Sequence, residues 1–480
     1  MHFSIPFLFS CMSFGCLLNS NQKHDDEKHG NEKHGNEKKD ILVLVMDTTR
    51  RDSFGIYGNS KPTTPYFDSL AKNGYLFEQA YAAGSWTWPS HASIFTGLYP
   101  WEHGAHFAIP TKEALSLKPD PLFASNIVDD VPTIAEILTD MGYESISVSA
   151  NRLIGPDFPL IRGFSTSFFL DDDSKVAQKV QNILEYRRTE NSQKPLFLFV
   201  NLMSAHSPWF RNPVPWVTQY EAELTPNTSP DWLKPYLLPD GIGIHPYLPN
   251  KNSNLIFGHI SKTEVLDSHQ LSILQNIYEG EVHRADGFMG EIVQHFTQVS
   301  DNYAIVITSD HGEYWGEHGL LDHGRTVYPE VLQVPLLVLD TQTTTNQNIQ
   351  HVVSNKDIFS LLQSYATIGS KGGALFEPLV ENQEIYASAE KDVHWAEKLG
   401  DRFAQNYRAV IRDDAMLVLS QDGNCEVIEG PADICTSTTI QKYKYLFEAQ
   451  QGRGLNTDAE ILKQLQQLGY VGSDDMLGQE

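Results

Sequence analysis

Four mostly apolar runs of strand length punctuate the chain: 41–46, 195–202, 303–308 and 334–339. A run without polar alternation belongs to a strand covered on both faces, as in a parallel sheet sandwiched between helices. Between the runs, apolar residues recur at helical spacing. Phe67, Leu70 and Ala71 follow Pro65 and stop at Gly74; Ile134, Ile137, Leu138 and Met141 stop at Gly142; Ile277, Val282, Phe288, Ile292 and Val293 stripe a long helix over about 271–297. Glu144 to Ala150 reads as one more strand, and from Tyr386 onward short alternating runs at 407–411 and 416–420 predict antiparallel strands before a terminal helix over 457–468. The pattern therefore predicts an α/β sandwich with a large, mostly parallel sheet plus a small C-terminal antiparallel sheet and helix. The expected division is a leader at 1–20, a polar linker at 21–40, a catalytic domain at 41–380 and a C-terminal subdomain at 381–480.

Two of the apolar runs end in candidate ligands. Asp47 follows the first, and Asp310-His311 follows the run that starts at Tyr303. Ligands bind at the carboxyl ends of strands in such sheets. A third stretch, Ser85 to Gly97, reads as a loop feeding a helix whose first turn holds Thr87 and Pro89. Thr87 would then sit where free amides and the helix dipole favour an incoming anion, and its hydroxyl would need a base or a metal ion to become a nucleophile. Asp47, Thr87, Asp310 and His311 are expected to converge on one divalent cation.

Charge narrows the partners. With 35 Lys and Arg against 61 Asp and Glu, the net charge is −26, which argues against nucleic acid or an anionic membrane as the main partner. An anionic substrate must be drawn in locally. Residues 1–18 are apolar and too short to span a bilayer, and read as an export signal. Cys11 and Cys16 sit in loose versions of a bacterial lipobox, so either is a candidate for lipid attachment and a membrane tether. The following stretch to Asp40 has a short Asn-Glu-Lys repeat and reads as a flexible spacer. The expected location is the periplasm or cell envelope. There Cys425 and Cys435, in a turn-rich region, are expected to pair.

The three stretches together resemble a known family. Thr87-Trp88-Pro89-Ser90-His91 through Thr96-Gly97 is similar to the sulfatase signature, in which Cys or Ser is followed by x-Pro-Ser-Arg and later by Thr-Gly. Met46 to Asp52 with Tyr57-Gly58 resembles that family's opening metal strand, and Ser309 to Glu313 with Gly316 to Gly319 resembles its second metal segment. The resemblance spans about residues 40–475 and implies the alkaline-phosphatase/sulfatase fold. Three departures redirect the expected chemistry. Threonine cannot become the formylglycine of sulfatases, His91 stands where the signature has Arg, and Thr48 replaces the second opening Asp. The set Asp47, Thr87, Asp310 and His311 is instead similar to the single-metal pattern of phosphoryl-transfer members of the superfamily, where Thr nucleophiles serve phosphodiesterases, some phosphatases and phosphoethanolamine transferases.

The resemblance implies a metal-dependent hydrolase or transferase of a phosphodiester, phosphomonoester or phosphonate, on a small molecule, glycan or lipid headgroup, through a covalent Thr87 intermediate. His206, in a segment similar to the family's His-x-Pro-Tyr element, and His323 are expected to assist. Arg325 is the rival of His323 in steadying charge. Asn151, at a strand end, is expected to contact an ester oxygen or to cap its own loop. Leu202 stands where two-zinc relatives place an Asp, so one metal is expected, and one His among oxygen ligands suits Zn, Mn or Ca. His103, Asp286 and His318 are expected to be structural, and Trp209, Trp216 and Trp232 to pack or to shape a pocket. The alternatives are a sulfuric ester hydrolase that uses Thr87 directly and a catalytically inactive envelope binding protein.

Overall fold

In the computed structural model, the residues described are 38–107, 124–210, 212–220, 230–238, 243–244, 246, 255–343, 345–376, 384–391, 395–396 and 399–447. The leader with Cys11 and Cys16, most of the spacer, much of the 209–270 insertion and the expected terminal helix lie outside them. Among the described residues no helix is long and apolar enough to cross a membrane.

Eight strands form the main sheet: β1 (Asp40–Met46), β2 (Tyr75–Phe77), β3 (Glu144–Ser149), β4 (Thr166–Phe169), β5 (Leu196–Leu202), β6 (Tyr303–Thr308), β7 (Leu336–Asp340) and β8 (Gln347–Ile349). Their order is β8-β2-β7-β6-β1-β5-β3-β4. β6, β1, β5, β3 and β4 run parallel, and β7 is antiparallel to both of its neighbours. β1 is thus central, and Val45 pairs with Thr308 on one side and Asn201 on the other. Two residues further on, that register brings Asp47 level with Asp310.

Alternate residues of β1 enter two separate cores. Ile41, Val43 and Val45 pack with α2 (Thr87–Thr96), α3 (Ile134–Asp140) and α6 (Ile358–Ile368). Leu42, Leu44 and Met46 pack with α1 (Pro65–Leu70), α4 (Asp173–Thr189) and the 32-residue α5 (Ser268–Val299). Burial of both faces explains why β1 reads as an unbroken apolar run. α5 starts three residues before the expected Leu271, because Asp267 caps it by accepting from the Gln270 amide.

The second sheet holds β9 (Ile385–Ala389), β10 (Tyr407–Arg412), β11 (Ala415–Ser420) and β12 (Cys425–Glu429), all antiparallel. A disulfide joins Cys425 to Cys435, as expected. This sheet is tied to the loop that leads into α2: the Ser388 amide donates to the Ala83 carbonyl. Trp209 and Trp216 are buried, the first against Trp315 and the second against His283, so both pack into the core.

Candidate functional site

Asp47, Asp310 and His311 leave the ends of β1 and β6 as neighbours, and their ligand atoms lie within 4.8 Å of one another, all buried. Each donor's hydrogen bonds define what remains for a cation. Asp47 Oδ1 accepts from the Thr48 hydroxyl at 2.8 Å, and Oδ2 accepts from Asn151 Nδ2 at 2.8 Å and Asn201 Nδ2 at 3.1 Å. Burial alone would raise the pKa of Asp47, but the charges of His206, His311 and His91 and the Asn151 hydrogen bond win and hold it below the usual range. Asp310 goes the other way, because burial and the nearby Asp47 charge push its pKa up. Asp310 Oδ1 accepts from the Thr48 and His311 amides, whereas its buried Oδ2 has no hydrogen-bond partner among the described residues.

His311 Nδ1 lies 2.9 Å from the Gly312 carbonyl, which assigns the proton to Nδ1 and leaves a lone pair on Nε2. That buried Nε2 also lacks a hydrogen-bond partner, and burial lowers the ring's pKa to about 4. Two carboxylates beside a neutral imidazole, with an oxygen and a nitrogen left over, are a donor set that fits a divalent cation.

α2 brings Thr87 to this cluster. Thr87 is the first residue of the helix, preceded by extended Trp86, and Pro89 occupies the first turn where a missing amide costs nothing. The same turn is clamped to the loop after β6: Ser90 Oγ donates to the Asp310 carbonyl at 2.6 Å, and Asn355 Nδ2 donates to Ser90 Oγ at 3.0 Å. His91, at the place of the signature Arg, lies with Nδ1 2.9 Å from the Thr87 carbonyl and 3.4 Å from Asp310 Oδ2. Asp47, Thr87, Asp310, His311 and Asn151 are fully buried, and His206 (3%) and His323 (8%) are nearly so.

These two imidazoles face each other with ring centroids 5.3 Å apart, and the His323 ring is 4.4 Å from that of His311. His206 Nδ1 lies 2.6 Å from the Ser207 carbonyl, which turns Nε2 into the lone-pair nitrogen. Burial lowers the pKa of both rings. His323 Nδ1 stands 3.1 Å from Asp322 Oδ1 and 3.4 Å from Glu313 Oε2, a second close group of His and carboxylates. Arg325 pairs with Asp322 at 2.6 Å and lies over the Trp395 ring. Asn151 caps its own loop, Oδ1 accepting from the Leu153 amide, while Nδ2 donates to Asp47 Oδ2.

His103 is buried between Ser93 and the Ala105 amide, with its pKa lowered to about 3 by burial, and Asp286 accepts from the Tyr66 and Phe67 amides at the start of α1. Both are structural, as expected. His318 stacks on Tyr328. Sequence reasoning overlooked Asn201 and Glu313. Asn201 was signalled only as the one polar side chain within the 195–202 run. Thr48, read only as a lost ligand, adopts φ +59° and supplies a hydroxyl to Asp47 and an amide to Asp310.

The Sulfatase family model matches residues 39–368. Arylsulfatase K of Xenopus laevis is 24% identical over 369 residues, 70% of this chain and 66% of that protein, so the chain spans just under two thirds of that relative's length. An N-acetylglucosamine-6-O-sulfatase of Bacteroides thetaiotaomicron is 21% identical over 72% of this chain and 71% of its own length. Among solved structures, the phosphonate monoester hydrolase of Agrobacterium radiobacter superposes with a TM-score of 0.58 at 17% identity, covering 85% of this chain and 93% of its own. A protein solved with its substrate D-glucosamine-2-N,6-O-disulfate gives 0.61 at 18% identity, covering 90% and 98%. With the family model extending from before β1 to the end of α6, and a sulfatase-like sheet carrying its metal-ligand candidates, the chain belongs to the sulfatase family.

Proposed function

We propose that this sulfatase-family protein is a metal-dependent hydrolase or transferase of phosphate esters, with Thr87 as the nucleophile. The observation that carries the reading is the pair of buried donor atoms Asp310 Oδ2 and His311 Nε2, 3.3 Å apart and without a hydrogen-bond partner among the described residues, meeting Asp47 against the first turn of the helix that Thr87 begins. Asp47, Asp310 and His311 would hold the cation, of which Zn, Mn and Ca all suit the donors. A cation bound there would neutralise phosphoryl charge and favour the deprotonated hydroxyl of Thr87.

Thr87 Oγ, its proton passed to the neutral ring of His206 or His323, then bonds to phosphorus as the bond to the leaving oxygen breaks, with the amides of the first turn of α2 facing the anion. His323 or His206 delivers the proton to the departing oxygen. Burial keeps both rings neutral in the free protein, and the incoming anionic ester supplies the charge that favours protonation. Water or an acceptor alcohol releases the phosphoryl group. The Cys425–Cys435 disulfide supports an exported protein, since such bridges persist in oxidising compartments.

The named relatives motivate one second reading, a sulfuric ester hydrolase using Thr87 without formylglycine. A panel of aryl phosphate, phosphodiester, phosphonate and sulfate esters separates the two. Faster turnover of the phosphorus esters is expected, and turnover confined to the sulfate would overturn the assignment.

A further inference from the structure

A cavity of about 230 Å³ opens beside the candidate site, with His206 in the wall of both. Its charge balance is one-sided: Asp171, Asp172, Asp173 and Glu281 line it, against the single cation Arg284. Most of these carboxylates are already served. Asp171 pairs with Lys175 at 2.6 Å on the exposed rim, and Asp172 takes Arg284 Nη2 at 2.7 Å. Asp173 accepts from the Met203 and Ser204 amides and the Ser204 hydroxyl.

Glu281 is different. It is 1% exposed, its Oε2 is 3.5 Å from Arg284 Nη1, and its Oε1 has no hydrogen-bond partner among the described residues. A buried carboxylate with an unused oxygen calls for another positive charge or a proton, and burial here pushes its pKa up to about 8. Phe169 and Phe210 also line the cavity, and aromatic rings in the same wall as a carboxylate suit an ammonium group. The groups of His and carboxylates close enough to share one metal ion, among the described residues, both lie elsewhere.

We propose that this cavity is a subsite for a positively charged amine on the substrate, so that the ester cleaved or transferred at Thr87 carries an ammonium group a few bonds from phosphorus. The inference rests on the phosphate-ester reading above. It adds what that reading leaves open, the chemical class of the group beyond the ester. An aminoalkyl headgroup and an amino sugar both offer the required charge.

Two isosteric pairs of probes test it by calorimetry on the metal-loaded full chain: 2-aminoethylphosphonate against propylphosphonate, and glucosamine 6-phosphate against glucose 6-phosphate. The amine of at least one pair is expected to bind on the order of tenfold more tightly than its neutral partner. Which pair shows the preference tells the headgroup from the sugar. In Glu281→Gln the ratio is expected to fall towards one; should that variant not fold, the wild-type ratios decide alone. Equal affinities within both pairs, or a preference that survives Glu281→Gln, overturn the subsite. Failure of all four probes to bind instead overturns the phosphate-ester reading, and the subsite with it.

Discussion

At the scale of single residues the site is a set of assigned hydrogen bonds. Asp47 is held by Thr48, Asn151 and Asn201, so each of its oxygens is already aimed before any cation arrives. Removing such a supporting contact loosens the ligand rather than deleting it. Asn201→Ala is expected to weaken metal affinity by roughly 10- to 100-fold, read by competition with a chelator. Thr87→Ala should lower turnover on the order of 10⁴-fold or more while the fold persists by circular dichroism. Asp47, Thr87, Asp310 and His311 were legible because apolar runs or a helix start point directly at them. Asn201 was not, because a polar side chain inside a strand shows its partner only once the neighbouring strand is in register. Glu313 was hidden for a related reason: its partner His323 is ten residues away across a turn.

At the scale of elements, register does the assembling. β1 lies between β5 and β6 in one parallel phase, which sets Asn201, Asp47 and Asp310 side by side. α2 then docks its first turn on the Asp310 loop through Ser90 and Asn355. On the opposite face, Asp286 of α5 serves the start of α1 by accepting from the Tyr66 and Phe67 amides. Asp286→Ala removes both acceptors and should cost about 1–2 kcal/mol in urea denaturation. The element types were readable from periodicity, since buried strands and amphipathic helices leave different spacings. The sheet order was not, because the long segments between β1 and β6 carry no local mark of which strand lies beside which.

At the scale of the whole molecule, metal and charge couple the site to stability. A cation that binds only the folded chain should add about 2.7 kcal/mol at a hundredfold excess over its Kd, so chelation is expected to abolish turnover and lower the thermal midpoint together. Part of the pH dependence should come from Glu281, whose pKa rises from an ordinary 4.5 to about 8 on folding. The folded chain holds that proton where the unfolded chain has lost it. The stabilisation is therefore complete below about pH 4.5 and disappears as pH rises through about 8. Glu281→Gln should flatten that decline, as read from thermal midpoints across the same range.

The account depends most on Thr87 becoming covalently attached to phosphorus. Rapid acid quench during turnover of a phosphodiester, followed by mass spectrometry of the peptide that spans Thr87, tests this directly. A phosphoryl group on Thr87 that appears with substrate and is chased away by water or acceptor is the expected result. Full turnover with an unmodified Thr87 at every quench time, or an adduct on a different side chain, would contradict it.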